Sequence, residues 1–165
     1  MLSRREIIEL LADRGTQFAV TPILDPGEQF NSSGIDLRLG PDLIVSRRAT
    51  GAVAYDPADM DGVRARLKDY QQYVRRPFGS AVYLHPGDFA LARTLEHIRL
   101  PDNLAADAAG RSSWGRLGLI IATATRINPG FSGTITLELA NLGTIPMVLY
   151  IGMRVAQINF FKMAP

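Results

Sequence analysis

The chain contains no cysteine, two histidines and one tryptophan in 165 residues. Without cysteine there is no disulfide, no thiol nucleophile and no thiolate-ligated zinc. His85 and His97 have no partnering cysteine, so they do not suggest a metal site, and His85 beside Pro86-Gly87 reads as a turn residue. Charge of one sign is scarce too. Eighteen Lys+Arg against 16 Asp+Glu leave a net charge of +2, far from a strongly basic nucleic-acid binder. Long apolar runs are missing: Gly118–Ala124 and Ile145–Met153 fall well short of the ~18 residues that a membrane span needs. The opening MLSRREIIELL carries charges at residues 4, 5 and 6 where a targeting segment would be apolar. The expectations are no membrane, no nucleic acid and a cytoplasmic location.

What is present fits a single domain spanning 1–165. A chain of this length buries about 70% of its unfolded surface and needs no staple to fold. Ser3 and Glu6 have capping-box spacing ahead of Ile7, Ile8, Leu10 and Leu11, which predicts a helix over 3–13. In "GIDLRLG", Ile35, Leu37 and Leu39 alternate with Asp36 and Arg38, as in a strand ending at Gly40. Residues 56–78 place Val63, Leu67, Tyr70 and Val74 at helical spacing, which predicts an amphipathic helical insertion. Its arginines and tyrosines read as a solvated face more readily than as a nucleic-acid contact. From residue 80 onward, short strands end at Gly, Pro or Asn, including two strands around His-Pro-Gly-Asp. This spacing predicts an all-β barrel or jelly roll.

Three stretches carry candidate chemistry. "GRSSWGRLG" (110–118) supplies the planar forks of Arg111 and Arg116, the hydroxyls of Ser112 and Ser113, and a glycine permitting close backbone approach. Such a group at a strand end suits a polyphosphate, and it also suits a polar loop with two surface arginines. It is no P-loop. "GMRVAQINF" (152–160) sets Arg154 and Gln157 among core residues, as interface or ligand contacts or as an ordinary polar edge. "GTITLELANLG" (133–143) alternates Ile135, Leu137 and Leu139 against Thr134, Thr136, Glu138 and Ala140. Glu138 is then either a solvated residue on a polar face or a carboxylate held for chemistry. A Ser112/His85/Asp36 triad has no GxSxG elbow behind it.

Together with "YLHPGDFALARTLEHIRLP" (83–101) and "RINPGFSGTITLELANLG" (126–143), these motifs resemble the dCTP deaminase branch of the dUTPase-like superfamily. The similarity is nearly continuous from Tyr83 to Phe160 and sparse over 41–80. It implies a distorted jelly roll with an N-terminal helix, assembled as a homotrimer with sites between subunits. The implied activity is zinc-independent hydrolysis of dCTP to dUTP and ammonia, and Glu138 selects this branch. A carboxylate in a desolvated pocket can take a proton from water and return it, replacing the zinc of other nucleobase deaminases. The resemblance assigns Ser112 and the backbone near Ala124 to the water, and Arg116 to developing charge and to Glu138. It gives the triphosphate, carried with Mg²⁺, to Arg111, Ser112, Ser113, Arg116 and Gln157. Asn128 and Phe131 fall where the deoxyribose is held.

Three features depart from the family pattern. Asn128 stands where an aspartate is usual, three residues separate Leu119 from Thr123 where four are typical, and the family's C-terminal lid tail is absent by Pro165. They keep two alternatives open: a catalytically silent nucleotide-binding or regulatory paralogue, and a dUTPase or bifunctional dCTP deaminase–dUTPase. dUTP and dTTP are further possible ligands.

Overall fold

In a computed structural model describing residues 1–47, 54–122 and 126–163, the chain is mostly strand. Its elements in order are α1 (Arg4–Ala12), β1 (Ala19–Thr21), α2 (Pro26–Gln29), β2 (Gly34–Ser46), α3 (Met60–Tyr70) and β3 (Gln71–Arg75). There follow β4 (Ala81–Leu84), β5 (Phe89–Arg99), β6 (Leu104–Gly110), α4 (Ser112–Gly115) and β7 (Leu119–Ala122). The chain continues through β8 (Arg126–Ile127), β9 (Ser132–Asn141), β10 (Met147–Tyr150) and β11 (Arg154–Lys162). The capping box is present: the Ser3 side chain accepts from the Glu6 N–H, and the Glu6 carboxylate accepts from the Ser3 N–H at 2.9 Å. Lys162 also reaches Glu6, at 2.9 Å, tying α1 to the end of β11.

The strands run β7-β9-β5-β2-β11-β6-β8 in one sheet, with β1 on β5 and β3 on β2, and the sheet curls into a half-barrel. A separate ribbon pairs β10 with β4. All described pairings are antiparallel. Ile35, Leu37 and Leu39 of β2, Leu137 and Leu139 of β9, and Ile158 and Phe160 of β11 are fully buried. Each such side chain contributes roughly 1.5–3 kcal/mol of burial. Phe18 meets Phe160 edge to face at 4.9 Å. The all-β expectation holds, as do the N-terminal helix and the two strands around His85–Asp88.

Two boundaries differ from the sequence reading. The 56–78 insertion is not one helix. α3 ends at Tyr70, and Gln71–Arg75 pairs with β2 in the register Ser46↔Gln71 to Asp42↔Arg75. Val63, Leu67 and Tyr70 do share the half-buried face of α3, whereas Val74 belongs to the strand. Strand β2 also runs past Gly40 to Ser46, absorbing an irregularity between Leu39 and Leu43.

A second irregularity lies in β5, between Arg93 and His97 opposite β9. There the Thr94 hydroxyl accepts from the Ile135 N–H at 3.0 Å and donates to the Glu96 carbonyl at 2.8 Å. The fully buried Glu96 carboxyl accepts from the Gln29 amide at 3.0 Å and the Arg38 backbone N–H at 2.8 Å. Gln29, also fully buried, accepts from the backbone of Leu24 and Asp25, so the same amide anchors the α2 turn. Burial pushes the Glu96 carboxyl up to about 7, against the opposing pull of the Arg38 N–H, the Arg38 charge and Gln29. An unfolded glutamate titrates near about 4.3. Between these values the folded chain keeps a proton that the unfolded chain has released. Stability therefore falls as pH rises from about 4.3 to about 7, by up to about 3 kcal/mol, and levels off above. Urea midpoints measured between about pH 5 and pH 8 should fall with rising pH in the wild type and much less in Glu96→Gln. Equal slopes would remove Glu96 as the source.

Candidate active site

Because β9 buries Ile135, Leu137 and Leu139, its period of two sends Thr136 and Glu138 to the opposite face, where both are exposed. The register extends that face across five strands. Tyr73 pairs with Ile44, Ile44 with Leu91, Leu91 with Glu138 and Glu138 with Ala122. These five side chains form one row in which Glu138 is the single charge, with apolar Leu91 and Ala122 beside it. No described residue donates to the Glu138 carboxylate or pairs with it.

Glu138 lines a cavity of about 500 Å³ together with Thr134, Thr136, Arg126, Asn128 and Phe131. The Asn128–Phe131 turn closes with the Phe131 N–H donating to the Asn128 carbonyl at 3.3 Å. Three residues assigned from sequence therefore meet here: Glu138, Asn128 and Phe131. Sequence reasoning passed over Thr134, Thr136 and Arg126. The two threonines share the parity of Glu138 on β9, which was a usable signal. Arg126 pairs with Asp107 at 3.3 Å and stays largely exposed, and nothing in its motif marked it as lining the cavity.

The Arg/Ser cluster lies elsewhere. Arg111 precedes α4, Ser112 and Ser113 are exposed within it, and Arg116 is exposed at its end. None of the four lines the Glu138 cavity. Gln157 lies with this cluster. On β11 it stands opposite Asp36 of β2 and Ala109 of β6, and its amide donates to Asn159 at 2.9 Å. Arg111 forms an ion pair with the buried Asp36 at 3.0 Å. The His85 backbone N–H donates to Asp88 at 2.9 Å, and among the described residues no hydrogen bond or ion pair joins Ser112, His85 and Asp36 into a triad. Ala124 lies outside the described residues. Among the described residues, no three His, Asp or Glu side chains cluster to hold a metal. No described helix is long and apolar enough to cross a membrane.

Two of the three glycines of "GRSSWGRLG", Gly110 and Gly118, sit against neighbouring chain, while a Cβ on Gly115 would meet nothing within 4 Å. A Cβ on Gly110 would stand 3.0 Å from the Ile121 Cβ. Gly118 has φ +94°, and a Cβ there would meet the Gly143 nitrogen at 2.6 Å.

A family model described as dCTP deaminase-like matches residues 1–163. The chain belongs to the dCTP deaminase-like family. It is 40% identical to a "dCTP deaminase, dUMP-forming" of Dictyoglomus turgidum, over 99% of this chain and 80% of that protein. It is 41% identical to a "dCTP deaminase" of Halorubrum lacusprofundi, over 99% of this chain and 77% of that one. Among solved structures it is similar to the 2'-deoxycytidine 5'-triphosphate deaminase of Agrobacterium tumefaciens, with a TM-score of 0.70 and 26% identity. That match covers 96% of this chain and 46% of the other. The family is the one that the sequence motifs resemble.

If Gly118 is retained for backbone geometry, Gly118→Ala should cost about 2 kcal/mol or more in chemical denaturation. A change below about 0.5 kcal/mol would return this glycine to the list of ligand-approach residues.

Proposed function

We propose that the chain hydrolyses dCTP to dUTP and ammonia, with Glu138 as general acid and base. The observation that carries this reading is the Glu138 carboxylate, unpaired among the described residues, on a cavity wall with Asn128 and Phe131, in a chain of the dCTP deaminase-like family. Relatives named dCTP deaminase over nearly the full chain support it.

The chemistry asks one carboxylate to act twice. Glu138 takes a proton from water as the water oxygen bonds to cytosine C4, and passes it to ring N3. It then moves the second proton, from the new hydroxyl to the exocyclic nitrogen. The C4–N4 bond breaks, ammonia leaves and the C4 carbonyl remains. A free carboxylate beside apolar Leu91 suits this work, since an ion-paired one would already be committed. Asn128 and Phe131 would seat the sugar, Ser112 and the backbone at Ala124 would hold the water, and Arg116 would steady developing charge. Arg111, Ser112, Ser113 and Gln157 would meet the triphosphate. Mg²⁺ would arrive as part of the substrate on phosphate oxygens, because these protein groups are hydrogen-bond donors.

The proposed assembly is a homotrimer. Two features support self-association. The Glu138 face carries exposed Phe89, Ile120 and Tyr73. The Arg/Ser cluster and the Glu138 cavity are separate in one chain, as two halves supplied by neighbouring copies would be.

A second reading, release of pyrophosphate as well as ammonia, is favoured by the "dUMP-forming" name of the Dictyoglomus turgidum relative. Incubation with Mg²⁺ and dCTP or dUTP, reading ammonia, pyrophosphate and product nucleotide, separates the two. Ammonia alone is the expected result; pyrophosphate supports the second reading; dCTP binding without either product indicates a silent nucleotide-binding protein. Glu138→Gln should lower kcat by about 10³-fold or more and leave the oligomeric state intact. Undiminished turnover would show the base to be misassigned. Arg116→Ala should weaken dCTP binding as well as rate, and unchanged affinity would take Arg116 out of the phosphate contacts.

A further inference from the structure

Arg154 is the polar exception in "GMRVAQINF" that the deamination reading leaves unused. Its guanidinium reaches two carboxylates: Glu28 of the α2 turn at 2.7 Å and Asp36 of β2 at 3.7 Å. Asp36 is the floor of this group, with its side chain only 8% exposed. Above it lies Arg111, at 3.0 Å and 31% exposed, and at its edge the Asn31 amide donates at 3.4 Å. The backbone follows the same path. The Arg111 N–H donates to the Val155 carbonyl at 3.2 Å, and the Trp114 indole donates to the Arg154 carbonyl at 2.9 Å.

We infer that Asp36 and Arg154 are positioning residues that hold Arg111 ready for a polyphosphate. The inference rests on the proposed assignment of Arg111 to the triphosphate. A free arginine side chain must be immobilised when it binds, and a buried carboxylate that fixes it beforehand removes that cost. The contact with Asp36 is an ion pair through one guanidinium nitrogen, which leaves the N–H donors of the fork for phosphate oxygens. Alone, Asp36 would also cancel the charge of Arg111. Arg154 is a second cation near the same carboxylate, so the inner three groups, Arg111, Asp36 and Arg154, carry +1, and Glu28, the nearer partner of Arg154, brings the whole group to neutral. The outer partner of Arg154, Glu28, is 62% exposed and screened by water. Gln157 stands opposite Asp36 in the sheet, so the same row presents a further donor.

The test compares Asp36→Asn and Arg154→Lys with the wild type by calorimetry, using dCTP, inorganic tripolyphosphate and deoxycytidine as ligands, alongside steady-state kinetics with dCTP. Asparagine removes the charge that orients Arg111. Lysine keeps a charge but lacks the fork that spans two carboxylates. In both variants, dissociation constants for dCTP and tripolyphosphate should rise about 10-fold, with KM rising in step, kcat changing less than about 3-fold and the deoxycytidine affinity unchanged. Unchanged dCTP affinity overturns the inference, as does an equal loss for deoxycytidine, which a general structural defect would give. If Asp36→Asn does not fold, Arg154→Lys decides by the same criteria. A wild type that neither binds nor deaminates dCTP overturns the proposed function along with the inference; an active wild type with unaffected variants overturns the inference alone.

Discussion

The register of β9 against β5 decides what this chain can do. Side chains on a strand alternate, so a slip of one residue would turn Leu137 and Leu139 to solvent and drive Glu138 into the core. The burial of Ile135, Leu137 and Leu139 opposes that slip by several kcal/mol. The irregularity in β5 gives a second lock. Thr94 bonds the Ile135 N–H from outside the regular ladder, and the carboxyl of Glu96, two residues on, is held by Gln29 and the Arg38 backbone. A buried carboxyl is costly unless its hydrogen bonds are satisfied or it keeps its proton. Here the two solutions combine, and the same group links β5, β2 and the α2 turn behind the face that carries Glu138.

Two kinds of electrostatic environment follow. Glu138 stands in a row of uncharged side chains, with no ion-pair partner among the described residues. The arginines near α4 are the opposite case, since Arg111 and Arg154 are organised around Asp36 before any ligand arrives. An acid–base group must be free to exchange its proton, whereas a phosphate grip works best when already in place. On the proposed reading these requirements fall on separate sheet regions: β9 with β5 for the first, and β11 with β2 and β6 for the second.

Much of this was legible in the sequence because it depends on local pattern. The alternation of "TITLELA" is what β9 shows, the Ser3–Glu6 spacing is a capping box, and His-Pro-Gly-Asp is a turn between two strands. Non-local contacts were not legible. Glu96 shares the inward parity of Ala90, Ala92, Thr94 and Ile98 on β5, but the partner that makes a buried carboxyl tolerable there, Gln29, is 67 positions away. Asp36 reads as the polar side of an alternating strand, yet its partners are Arg111 and Arg154, from distant segments. Helical spacing over 56–78 failed at Gln71 because Tyr73 and Val74 satisfy a strand as well as a helix. The free edge of β2 offered backbone hydrogen bonds that the isolated pattern could not reveal. The family resemblance supplied the role of Glu138, which no periodicity contains.

Asn128 bears most directly on which reactions one such site can support. Among the described residues lining the Glu138 cavity, Glu138 is the sole carboxylate, and Asn128 presents an amide at the turn where the family usually has aspartate. An amide can hydrogen-bond a sugar hydroxyl in either sense, but it cannot accept a proton at neutral pH. Deamination needs one group to move protons between water, ring nitrogen and leaving amine, all at one edge of the base, which is the role proposed for Glu138. Attack on a phosphate needs its water activated at the other end of the nucleotide. A carboxylate next to the base cannot do both from one position. Pyrophosphate release by this chain would therefore need a second proton acceptor from outside the described lining of that cavity.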